Sequence, residues 1–178
     1  MSFIKRIWVV FAVSVLLCPM QAVLANEKCK IITANPASDT EYTEQYVIDV
    51  DDMTGHQIRI FEIHNFYKDP IENCEGLLLV ERITWGNSDY TNGVGHVWGY
   101  QISIFDNGDK MFSNWSGISQ KLTIPKDGAT GLFTGTITIT GGTGVYKGVR
   151  GTGAERAYIN PSTGYNEADH MIEYWVED

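Results

Sequence analysis

Basic residues are scarce in this chain, with 13 Lys and Arg against 22 Asp and Glu and a formal net charge of −9. A surface of that sign repels nucleic acid and anionic membrane, so neither is expected as a partner. Cysteine is scarce too. There are three, without a Cys-x-x-Cys pair, and this excludes the common zinc and redox motifs. Long apolar runs are absent beyond the N-terminus, and the run at 7–18 falls short of the roughly 20 residues that a spanning helix needs. No membrane span is expected. Extended helical periodicity is missing after residue 25, which argues against any long helix or bundle.

What is present begins with a signal-peptide layout. Lys5 and Arg6 precede the apolar run, and Val23-x-Ala25 offers a small-residue cleavage site. Residues 1–25 are therefore read as a signal peptide and 26–178 as one secreted or periplasmic domain. Leu17 before Cys18 and Pro19 after it disfavour lipid attachment there. Cys29 and Cys74 then remain, and an exported pair is expected to form a disulfide. Closing a loop of about 45 residues would stabilise the fold by roughly 4 kcal/mol in the chain-entropy model.

Period-two alternation recurs at 45–50, 57–67, 77–85, 96–105, 110–123, 132–140, 150–159 and 169–176, with turn residues between. Eight sequential strands with short links predict an all-β, antiparallel meander closed into a barrel, which has no exposed edge and can hold one small ligand. Asn107-Gly108, between two alternating runs, predicts a two-residue hairpin turn. Alternation places Ile58, Ile60, Glu62, His64 and Phe66 on one face, and His96, Trp98, Tyr100, Ile102 and Ile104 on another. It does not say which face looks inward.

The stretch Ile139 to Gly153, "ITGGTGVYKGVRGTG", has the look of a phosphate loop. A Walker loop needs Ser or Thr after its lysine, but Lys147 is followed by Gly148. A dinucleotide fingerprint needs a third glycine and a following helix, and Lys147 fills the third slot. The glycines instead read as bends at strand ends. The segment resembles the Gly-Gly-Thr-Gly-x-aromatic-x-x-x-Arg-Gly signature of dirigent proteins and allene oxide cyclase-like barrels, carried by Gly141, Gly142, Thr143, Gly144, Tyr146, Arg150 and Gly151. The resemblance implies an eight-stranded barrel of calycin-like shape, often trimeric, that shapes and shields a substrate without metal or cofactor. It transfers no catalytic role to other strands.

Candidate chemistry comes from the residues themselves. Glu62 and His64, two apart on a strand, would form an acid–base pair if their face were the lumen, with Tyr100 assisting; otherwise both are solvated. Trp85, Trp98, Trp115 and Tyr174 are candidates to line a ligand pocket, or equally to pack a core. No three of His56, His64, His96 and His170 have metal-ligand spacing, and no metal is expected. The expected function is binding of a small, largely apolar ligand in the lumen. The alternatives are an isomerase or cyclase that guides ring closure of a reactive substrate, and a structural module with a filled lumen.

Overall fold

A computed structural model describes residues 28–177, so the expected signal peptide and Cys18 lie outside the described residues. Nine strands form one antiparallel sheet: β1 (Cys29–Asn35), β2 (Thr40–Asp49), β3 (His56–Glu72), β4 (Leu78–Thr91), β5 (Val94–Phe105), β6 (Lys110–Lys126), β7 (Ala129–Gly142), β8 (Val149–Asn160) and β9 (Tyr165–Val176). Their spatial order is β1-β9-β8-β7-β6-β5-β4-β3-β2. The all-β antiparallel class is as expected, but the strand count is nine rather than eight.

The extra strand has a local cause. Pro36 lacks an amide hydrogen and interrupts the ladder, and a short 3-10 turn, Ala37–Asp39, follows it. β1 and β2 run in the same direction on either side of this break, yet they pair with opposite edges of the sheet. One interrupted path therefore lies along both edges. The edges approach each other where Asn166 on β9 donates to the Tyr42 hydroxyl on β2, 3.4 Å away. At the other end Cys29 on β1 is disulfide-bonded to Cys74 beyond β3, with Cα atoms 5.9 Å apart.

Two Asn-Gly pairs make hairpins, and they differ. Asn92 and Gly93 both take positive φ and form a two-residue link between β4 and β5. At Asn107-Gly108 the hairpin exists, but only Gly108 is left-handed. Its amide donates to the Phe105 carbonyl, while the Phe105 amide donates to Asp109, so the loop is a three-residue one.

The inner face has two zones. At one end Leu79, Phe105, Met111, Tyr146, Val149 and Tyr174 pack as an apolar plug under the turns at 73–77, 106–109 and 143–148. Towards the turns at 50–55, 92–93 and 161–164 the inner face becomes polar, with Asn65, Thr84, Ser88, Gln101 and His170 buried. Large inner rings are accommodated by glycines on neighbouring strands. A Cβ on Gly86 of β4 would lie 2.2 Å from the Phe61 ring of β3, and one on Gly117 of β6 would lie 2.6 Å from the Phe133 ring of β7.

Candidate functional site

The glycine-rich segment closes the apolar end. Gly144, Val145 and Tyr146 form a 3-10 turn between β7 and β8, and Gly144 has φ +54°. A Cβ there would come within 1.9 Å of the Asp109 carboxylate, which accepts the Val145 amide at 3.1 Å. Thr143 Oγ1 accepts the Lys110 amide at 2.9 Å, and Arg150 donates to the Thr140 carbonyl at 3.1 Å. These contacts drive Tyr146 into the plug, fully buried, 4.5 Å from the Phe105 ring and 6.2 Å from the Tyr174 ring. Its hydroxyl accepts from Asn73 Nδ2. Asn73 Oδ1 in turn accepts the amides of Glu75 and Leu77, so the plug and the disulfide-bearing loop are tied together.

Beyond the plug lies an inner cavity of about 40 Å³, lined from eight of the nine strands, so the sheet wraps around it. Phe61, Ile63, Val97, Trp115 and Phe133 supply apolar walls, and Arg59, Gln101, Glu155 and His170 supply charge and hydrogen bonds. It opens towards a hollow of about 420 Å³ at the rim, and Arg59, Tyr90, Ile159 and Pro161 line both. The inner space alone is well below the roughly 300–1,000 Å³ of usual ligand pockets, whereas the rim hollow is within that range.

His170 and Glu155 pair across β8 and β9 at 3.5 Å, His170 Nδ1 lies 3.2 Å from Thr33 Oγ1, and Gln101 donates to Glu155 at 3.4 Å. Burial, then the Arg82 charge, hold His170 below its ordinary value despite the pull of Glu155. Burial opposes the charge on Glu155, but His170, Arg82 and Gln101 outweigh it and hold the carboxyl below the usual range. The contact sets an imidazole 3.5 Å from a carboxyl, a geometry suited to proton exchange with a bound molecule. Burial pushes the phenol of Tyr42, which lines the inner cavity, up to about 12.

No family model matches the chain, and no curated protein does. A solved structure of a pterocarpan synthase dirigent protein is similar at a TM-score of 0.45 and 11% identity, covering 97% of this chain and 100% of that one.

Of the residues singled out from sequence, the structure brings Glu62 and His64 together, with His64 Nε2 3.3 Å from Glu62 Oε1. Both sit on the outer face, however, and do not line the cavity. Glu62 also accepts from Thr43 at 2.6 Å and from Trp85 Nε1 at 2.5 Å, and the Thr43 bond leads in lowering its carboxyl below the usual range. Tyr100 is 64% exposed, and Trp85 and Trp98 are 38% and 37% exposed, so these three also face outward. Trp115 is buried and lines the cavity, while Tyr174 is buried in the plug. The four histidines are dispersed: His56 faces Asp52 and Asp89, His64 faces Glu62 and Glu81, His96 faces Ser116, and His170 is inside.

Arg59, Glu155 and His170 were missed as interior groups. Arg59 alternates in phase with Phe61 and Ile63, and His170 with Ile172 and Tyr174, so the available signal was their apolar companions at period two, on strands whose two faces are similar in apolar content.

Proposed function

We propose that this protein is an exported, closed β-barrel that binds a small molecule through the cavity and its rim hollow. The observation that carries this reading is the polar and aromatic cavity lined from eight strands, plugged at one end and joined to a ligand-sized hollow at the other. The Cys29–Cys74 disulfide accords with an oxidising compartment. The largely apolar ligand expected from sequence becomes an amphipathic one, because the hollow mixes Gln57, Arg59, Asn92 and Lys121 with Leu122, Ile159 and Pro161. Trp115 lines the pocket, so ligand entry is expected to quench tryptophan fluorescence and raise the melting temperature of purified protein. No quench and no shift across a broad panel of small molecules would overturn the reading.

One observation favours the isomerase or cyclase reading as the alternative. Glu155 and His170 form an acid–base pair inside, which Glu62, His64 and Tyr100 do not. Under that reading, Glu155→Gln abolishes turnover of a bound substrate while the variant remains folded and binding-competent.

The expected homo-oligomer has a surface to use. Tyr46, Ile60 and Trp98 fall in one outward cross-strand row and Trp85 and Tyr100 in the next, with no Lys or Arg in either row from β2 to β6. The row with Trp85 and Tyr100 also holds two acids, Glu62, which is held by Thr43, Trp85 and His64, and Glu44, which accepts from the Tyr46 hydroxyl, so both carboxylates are engaged within the chain. Light scattering of the wild type and of Trp98→Lys tests this; a wild-type monomer at high concentration rejects it.

A further inference from the structure

The rim hollow has the opposite charge balance to the molecule that carries it. The chain has 22 acidic residues against 13 basic ones, yet the hollow is lined by Arg59 and Lys121 and by no Asp or Glu. Gln57, Tyr90, Asn92 and Ser119 add hydrogen-bonding side chains.

Arg59 stands where the hollow meets the inner pocket. Its Nη2 donates to Gln57 Oε1 at 3.3 Å, and Gln57 donates to Asp49 at 2.8 Å, so Asp49 is reached only through an amide; Glu155, which shares the inner pocket, is held by His170 and Gln101. Among the described residues Arg59 forms no ion pair, and its buried Nε has no hydrogen-bond partner. Trp115 Nε1, on a side chain that is 6% exposed and lines the inner pocket, is a second buried donor without a partner. Burying a guanidinium donor without an acceptor is unfavourable, and a carboxylate is the group whose geometry matches its fork.

We propose that the rim hollow is an anion site, which takes a small organic carboxylate with its carboxyl group on Arg59 and its body in the hollow beneath Lys121. This inference rests on the small-molecule reading above and names the ligand class. The two cations attract the anion into an otherwise acidic surface, and the hydrogen-bonding lining suits a ligand that also carries hydroxyl groups.

The test uses benzoate and benzamide, which share a skeleton and differ in charge, titrated by calorimetry and tryptophan fluorescence into the disulfide-intact protein. Benzoate is expected to bind about ten- to a hundredfold more tightly than benzamide, the range for a charge-assisted pair. Arg59→Gln should abolish that preference, and Lys121→Gln should reduce it. The wild-type ratio needs no variant, so it decides the matter even if Arg59→Gln fails to fold. Equal binding of the two probes, or a preference that survives in folded Arg59→Gln, overturns the anion site and leaves the small-molecule reading standing. If neither probe nor inorganic phosphate binds at millimolar concentration, the anion site is rejected, and the broad neutral panel then decides the small-molecule reading separately.

Discussion

Truncation of Tyr146 tests whether the glycine-rich segment is a structural plug. The side chain is fully buried between Phe105 and Tyr174, so Tyr146→Ala removes a large aromatic from a packed end and should cost about 3–5 kcal/mol. Tyr146→Phe keeps the ring but leaves Asn73 Nδ2 without its acceptor, a loss of about 1–3 kcal/mol. A loss of 2 kcal/mol lowers the melting temperature of a domain this size by roughly 4–8 °C. Urea unfolding with the disulfide intact measures both variants, and an unchanged slope would show that the shift is one of stability. Amide exchange at Glu75 and Leu77 should quicken in Tyr146→Phe, because Asn73 holds both amides. The plug argument is refuted if Tyr146→Ala costs less than about 1 kcal/mol, far below the range for a buried aromatic. Equal losses in the two variants would show that the hydroxyl, and not the ring, carries the effect.

Further outcomes follow from other parts of the fold. Replacing Cys29 and Cys74 by Ser should cost roughly 4 kcal/mol in the chain-entropy account, and non-reducing mass analysis of wild-type protein should find neither thiol free. Gly144→Ala must adopt positive φ and displace the Asp109 carboxylate, for a loss on the order of 2 kcal/mol; a wild-type urea midpoint would contradict the close approach described above. Folded His170 binds its proton more weakly than the unfolded chain, whose value is 6.5, so its contribution is complete above that pH and is lost as pH falls below it. His56, held up by Asp52 and then Asp89, acts in the opposite direction but is screened by solvent. Urea midpoints from pH 7.5 to 5 should therefore fall, and less steeply in His170→Gln; identical slopes would remove His170 as the cause.

Much of the architecture was legible along the chain. Alternation located the strands from β3 onward, and the turn residues marked their ends. Cys29 and Cys74, the even pair left after the expected signal cleavage, pointed to the disulfide. The strand β1 was missed because seven residues before a proline carry little periodic signal. The assignment of faces was not legible. On β5 the inner positions are Gly95, Val97, Gly99, Gln101, Ser103 and Phe105, whereas His96, Trp98 and Tyr100 face out. An apolarity rule selects the wrong side there, because the narrow interior is already occupied by rings such as Phe61, Trp115 and Phe133 and demands small partners on facing strands.

By itself the sequence determined an all-β chain, its disulfide pair and a glycine-rich bend unsuited to phosphate, since each depends on residue types close together or on simple pairing. Only the tertiary structure decided that Arg59, Trp115, Glu155 and His170 share an interior while Glu62, His64 and Tyr100 lie outside. Period two defines two faces of a strand equally well, and the direction in which the sheet curls, set by the register of all nine strands, chooses between them.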